Sequence, residues 1–175
     1  MFGICIISGT NRKESKTFQI AQIYQQVLIE KNIENKLFSL TELPLDISSS
    51  TINSNVSPEI QSLISKYIEP YSKFVFISPE YNGSFPGILK LFLDVVPPGF
   101  WTDKKAALVG VADGRAGNLR GMEHLTNILN HLKINVYHNK IPVSQVNKTL
   151  SDESGNSIID LKNLFNKQSS GLIAF

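Results

Sequence analysis

Three stretches of this chain gather hydroxyls, amides, guanidinium groups and glycines at a density suited to holding a ligand. Pro79-Glu80-Tyr81-Asn82-Gly83-Ser84-Phe85-Pro86-Gly87 brings an aromatic ring, a carboxylate, an amide and two glycines into one short segment. Tyr81 is a possible platform, Asn82, Gly83 and Ser84 offer backbone donors, and the glycines let the main chain come close to a flat molecule. Ser8 to Thr17 has the make-up of an anion cradle. Thr10, Ser15 and Thr17 carry hydroxyls, Arg12 a forked cation, and a helix starting near Lys16 adds its free N-terminal amides. It has neither the Gly-Lys-Ser/Thr ending of a Walker loop nor the Gly-x-Gly-x-x-Gly of a dinucleotide turn. Gly114-Arg115-Ala116-Gly117-Asn118 contributes more amides and a further cation.

Each stretch follows an apolar run that reads as a buried strand. Ile4 to Ile7 precedes the first, Lys73 to Ser78 the second and Ala106 to Val111 the third. A shorter strand is expected from Asn35 to Leu40 and a fifth near Asn135 to Ile141. Helical periodicity links them. Ile20, Tyr24, Val27 and Leu28 share one face, as do Ile60, Leu63, Ile64 and Tyr67 after the start signal Ser57-Pro58-Glu59. Leu119, Met122, Leu125, Ile128, Leu129 and Leu132 trace another stripe. A polar stretch runs from Thr41 to Asn55, a linker from Ser151 to Ser157, and a last helix is expected from Ile158 to Lys167. Strands alternating with helices predict an α/β fold, a three-layer α/β/α sandwich on a five-stranded parallel sheet of flavodoxin-like order, in one domain over residues 1–175.

In a parallel sheet the carboxyl ends of all strands lie on one edge, so the three loops can converge there. Together they describe a ligand with one phosphate and a flat heteroaromatic end, which FMN matches. No Gly-x-Ser-x-Gly elbow and no carboxylate dyad stands beside them, so the difficult chemistry falls to a cofactor.

With 42% apolar and 18% charged residues the chain is globular, and a net charge of +2 without a basic stripe argues against nucleic acid. No apolar run approaches a membrane span, and the start of the chain shows no basic segment or cleavage site, so a cytoplasmic protein is expected. The single cysteine, Cys5, sits in the first apolar run and reads as a buried thiol. His124, His131 and His138 recur at regular spacing without neighbouring ligands, so no metal is expected. Trp101, after Pro97-Pro98-Gly99-Phe100, is expected at a subunit contact.

The sequence resembles the NADPH-dependent FMN reductase family, which is flavodoxin-like. Gly9-Thr10-Asn11-Arg12-Lys13-Glu14-Ser15-Lys16-Thr17 matches the family's Gly-Ser-x-Arg-x-x-Ser-x-Asn/Thr, and Pro79 through Lys90 match its Pro-Glu-Tyr-Asn-Gly-Ser-x-Pro-Gly-x-Leu-Lys. Gly114 to Gly117 and Leu119 to Leu125 are similar to its third loop and following helix. By that resemblance Thr10, Arg12, Ser15 and Thr17 hold the FMN phosphate; Pro79, Glu80, Tyr81, Asn82 and Gly83 line the isoalloxazine; Gly114, Arg115 and Gly117 flank its pyrimidine end. Thr10 stands where serine is commoner, and Val95-Val96 depart from the family's ending after Asp94. The implied activity is hydride transfer from NADPH or NADH to flavin, then ping-pong reduction of a small-molecule electron acceptor: a flavin, quinone, azo compound or metal oxyanion. A homodimer or homotetramer is implied. A flavodoxin-like electron carrier and a non-catalytic flavin-binding regulator remain as alternatives.

Overall fold

The computed structural model describes residues 3–48 and 56–175. The last part of the expected polar stretch, 49–55, lies outside the described residues. Strands β1 (Ile4–Ser8), β2 (Asn35–Ser39), β3 (Lys73–Pro79) and β4 (Lys105–Val111) pair in parallel in the order β2-β1-β3-β4. Next to β4 lie two short strands, β5 (Asn135–Val136) and β6 (Ile141–Val143), both parallel to it. This is the doubly wound, flavodoxin-like order.

The expected fifth strand is thus interrupted. β5 pairs with Lys105 and Ala106 and β6 with Val109 to Val111, leaving a gap in the ladder between them. The gap is filled by Gln168, whose amide nitrogen donates to the carbonyls of Leu108 at 3.0 Å and Asn139 at 2.6 Å. A side chain completes the hydrogen bonding that the broken strand cannot.

Alternation along the strands sends side chains to two apolar layers. Ile4, Ile6, Val75, Ile77, Ala107 and Val109 face α1 (Lys16–Glu30) on one side. Cys5, Ile7, Phe74, Phe76, Ala106 and Leu108 face the other. Both faces of a parallel sheet are covered, which is why its strands read as continuous apolar runs. α2 (Pro58–Leu63) is capped by Ser57, whose hydroxyl accepts from the Ile60 amide, and it continues as a π-helical turn, Ile64–Ile68. α3 (Gly87–Val95) and α4 (Leu119–His131) belong to the same layer. Short α5 (Val146–Ser151) leads to α6 (Asn156–Ala174), which packs on α1. The last helix is longer at both ends than its apolar stripe suggested; the stripe stops short at Lys167 because Gln168 and Ser169 occupy the next buried positions, where it calls for apolar residues.

Trp101 is a correction. It is fully buried, edge-on to Phe74 at 5.5 Å and to Phe92 at 6.0 Å, so it belongs to the core and not to a surface available for a subunit contact. In the stripe of α4, Met122, Leu125 and Leu129 are buried, whereas Leu119 is half exposed. Burial pushes the Cys5 thiol up, away from a reactive thiolate. No helix among the described residues is long and apolar enough to cross a membrane.

Candidate functional site

The first loop joins the carboxyl end of β1 to α1. Ser15 caps that helix, its hydroxyl accepting from the Phe18 amide at 3.1 Å. The Lys16 and Thr17 amides that open the helix have no partner among the described residues. They present the positive end of a 15-residue helix dipole to the sheet edge. Thr10 and Thr17 are buried, Ser15 is half buried and Arg12 is exposed.

The second loop leaves β3 and reverses at once. The Tyr81 amide donates to the Ser84 carbonyl at 2.8 Å and the Ser84 amide to the Tyr81 carbonyl at 3.1 Å. Asn82 and Gly83 occupy the corner with φ of 51° and 78°, a turn that needs left-handed backbone at both central positions. Of the three backbone donors expected here, Ser84's is therefore committed to the turn itself. Those of Asn82 and Gly83 have no partner among the described residues. Upstream, Pro79 ends the strand, and the Glu80 amide donates to the Val111 carbonyl at 3.0 Å, tying the loop to β4.

Tyr81 joins the two loops. Its hydroxyl shares a 2.8 Å hydrogen bond with the Thr10 hydroxyl, across 71 residues of sequence. The Arg12 guanidinium lies over its ring, 4.3 Å from the centroid. One face of the ring is thus covered by a cation from the first loop, and Tyr81 bridges the two loops.

The third loop divides. Gly114 and Arg115 are exposed; their carbonyls accept from the Gln145 amide and the Ser144 hydroxyl. Gly117 is buried with φ of 55°, and a β-carbon added there would meet Pro142 at 2.7 Å. It serves close packing against β6. Asn118, also left-handed, is buried and donates from its amide to the Ser78 carbonyl at 2.9 Å, fastening the loop to the end of β3.

Three residues outside the expected set reach the second loop from α4. Arg120 packs over Gly83, 2.8 Å from where a β-carbon would stand. His124 Nδ1 hydrogen-bonds the Ser84 hydroxyl at 2.9 Å. Gly121 lets the helix come this close: an added β-carbon would lie 2.1 Å from Asn118 Oδ1 and 2.8 Å from the Ser84 carbonyl carbon. The four-residue spacing of Arg120 and His124 was a readable sign that both occupy one helix face; which partner that face meets was not readable. Gly121→Ala is expected to push α4 away from the turn at 81–84 and to lower stability by about 1–3 kcal/mol, measured by urea unfolding with FMN affinity determined alongside.

The arrangement can bind an anion at the N-terminus of α1 and a polar-edged flat ring against the turn at 82–83. The donor set fits FMN: unpaired amides, hydroxyls and a guanidinium for its phosphate, and two unpaired amides for the acceptors on its ring edge. Known proteins point the same way. Residues 3–148 match the NADPH-dependent FMN reductase family. A quinone reductase of Pseudomonas putida is 28% identical over 128 residues, covering 71% of this chain and 67% of that protein. An NAD(P)H:quinone oxidoreductase of Solanum tuberosum is 35% identical over 130 residues, covering 72% of this chain and 64% of its own length. The solved structure of an oxidoreductase from Corynebacterium diphtheriae superposes with a TM-score of 0.77 at 16% identity, covering 100% of this chain and 98% of that one, a likeness of fold. With the phosphate-ready helix, the two-loop turn and the match over most of the chain in agreement, the chain belongs to the NADPH-dependent FMN reductase family of flavin-dependent NAD(P)H oxidoreductases.

Proposed function

We propose that the chain is a quinone reductase that works with FMN and NAD(P)H, its FMN held by Thr10, Arg12, Ser15 and Thr17 at the phosphate and by Pro79 to Gly83 along the ring. The observation that carries this is the Thr10–Tyr81–Arg12 cluster, which joins the anion-binding loop to the turn with unpaired amides. Bound FMN would supply two-electron redox chemistry between NAD(P)H and the acceptor. The chain's own part is positioning and electrostatics. The Lys16 and Thr17 amides and the Arg12 guanidinium offset the phosphate charge. The Asn82 and Gly83 amides, held in place by the paired Tyr81 and Ser84, stabilise negative charge at the ring edge without reorganising. Glu80, half buried in its loop, helps to set the course of the chain there, and Gly114, Arg115 and Gly117 close the site on the β6 side.

A quinone as acceptor draws support from the two relatives named above, of which the alignments span about two-thirds. The proposal includes a homodimer or homotetramer, as the family resemblance implies, in the cytoplasm.

Anaerobic titration tests the reaction. The purified, FMN-loaded protein should lose its visible flavin absorbance on addition of NADPH or NADH and regain it on addition of a benzoquinone. A yellow protein that stays oxidised with both nucleotides would favour an electron carrier or a regulator, and a chain that binds no FMN would end the cofactor assignment.

A further inference from the structure

The turn at 81–84 carries the unpaired Asn82 and Gly83 amides proposed above for the edge of the flavin ring, and α4 closes on this same turn. A guanidinium nitrogen of Arg120 lies 2.8 Å from where a β-carbon of Gly83 would stand, with Arg120 Cδ and Cζ each at 3.9 Å. Glycine at 83 thus leaves room for a cation where another residue would put its own side chain. One helical turn further on, His124 Nδ1 hydrogen-bonds the Ser84 hydroxyl at 2.9 Å, so the helix face and the turn are held in register. The charge of Arg120 is not cancelled there. Its natural partner along the helix is Glu123, three residues on. Glu123 Oε1 instead accepts from Lys140 Nζ at 2.7 Å, an ion pair reaching α4 from the segment between β5 and β6. Arg120 is in no ion pair among the described residues.

A hydride brings two electrons and one proton, so a flavin ring that accepts it from NAD(P)H gains one negative charge. A fixed cation beside the ring interacts more strongly with that charged form than with the neutral oxidised one. Arg12 lies over the Tyr81 ring and is assigned above to the phosphate, whereas Arg120 is held against the corner assigned to the ring edge. We propose that Arg120 sets the reduction potential of bound FMN. Acting through the Gly83 corner, its uncancelled charge stabilises the reduced ring and raises the potential. The proposal rests on the FMN reading above and adds to it a residue from α4, outside the three loops.

Slow anaerobic reduction of the FMN-loaded protein by dithionite, in equilibrium with a reference dye of known potential, tests it. Arg120 is exposed, so its variants should fold. In Arg120→Ala reduced FMN should lose about tenfold in affinity relative to oxidised FMN, a fall of about 30 mV in the two-electron potential. Arg120→Lys keeps the charge and should recover most of that fall, and Arg120→Glu should deepen it. A brace without an electrostatic part would shift the affinities of both redox forms together and leave the potential where it was. A wild-type potential in Arg120→Ala, or a potential in Arg120→Lys as low as in Arg120→Ala, overturns the proposal. No nicotinamide enters the measurement, so the two readings fail separately. A protein bleached by NADPH whose potential ignores position 120 keeps the reaction and loses this role. A protein bleached by neither nucleotide whose potential falls in Arg120→Ala keeps the role and loses the reaction.

Discussion

Arg12→Ala is expected to weaken FMN binding about 10- to 100-fold, the loss that accompanies one charged hydrogen-bonding group on an anion, about 1.5–3 kcal/mol. The guanidinium is exposed and makes its main contact with the Tyr81 ring, so its removal leaves the core untouched. The apoprotein should therefore unfold at nearly the wild-type denaturant concentration. The two effects separate a binding role from a structural one. Arg12→Lys should restore part of the affinity, because a lysine keeps the charge but not the planar fork. Quenching of FMN fluorescence on titration into apoprotein measures all three variants. Unchanged affinity in Arg12→Ala would remove this residue from the phosphate site and leave the Lys16 and Thr17 amides, with the Ser15 and Thr17 hydroxyls, as its donors.

Trp101→Ala has the opposite profile. Trp101 is fully buried among Phe74, Phe76 and Phe92, and truncating such a residue costs about 3–5 kcal/mol through lost transfer energy and the cavity left behind. That is a large share of the stability of a typical domain, about 5–15 kcal/mol. The residue precedes β4, at the amino-terminal edge of the sheet, while the loops proposed to hold FMN lie at the carboxyl-terminal edge. Chemical denaturation should show the loss, and FMN affinity of the remaining folded protein should be preserved. A variant of wild-type stability with an altered oligomeric state would instead restore Trp101 to a subunit surface.

How far the sequence could be read depended on the range of the interactions involved. The cap at Ser57, the buried runs of β1, β3 and β4 and the apolar face of α1 are all specified by residues within a few positions of one another, and the structure has them where the periodicity and the capping residue placed them. The last strand was harder. Its middle is broken, and the missing ladder is supplied by Gln168 from a helix nearly 30 residues further on. Gln168 also hid the length of that helix, since a buried polar residue erases the apolar stripe that marks the inner face. Trp101 was misplaced because an aromatic after Pro97-Pro98-Gly99-Phe100 carries no local sign of the side on which it will be buried.

By itself the sequence determined the parallel α/β architecture, a helix N-terminus prepared for an anion after the first strand, and a glycine-rich turn carrying Tyr81 and Asn82 after the third. Each follows from local backbone preference and short-range periodicity. Only the tertiary structure decided that Tyr81 reaches Thr10 and Arg12, that Gly117 packs against Pro142 while Arg115 stays exposed, and that Arg120 and His124 brace the turn from α4. Those contacts join segments far apart in the chain, and they exist because a parallel sheet delivers the end of every strand to the same edge.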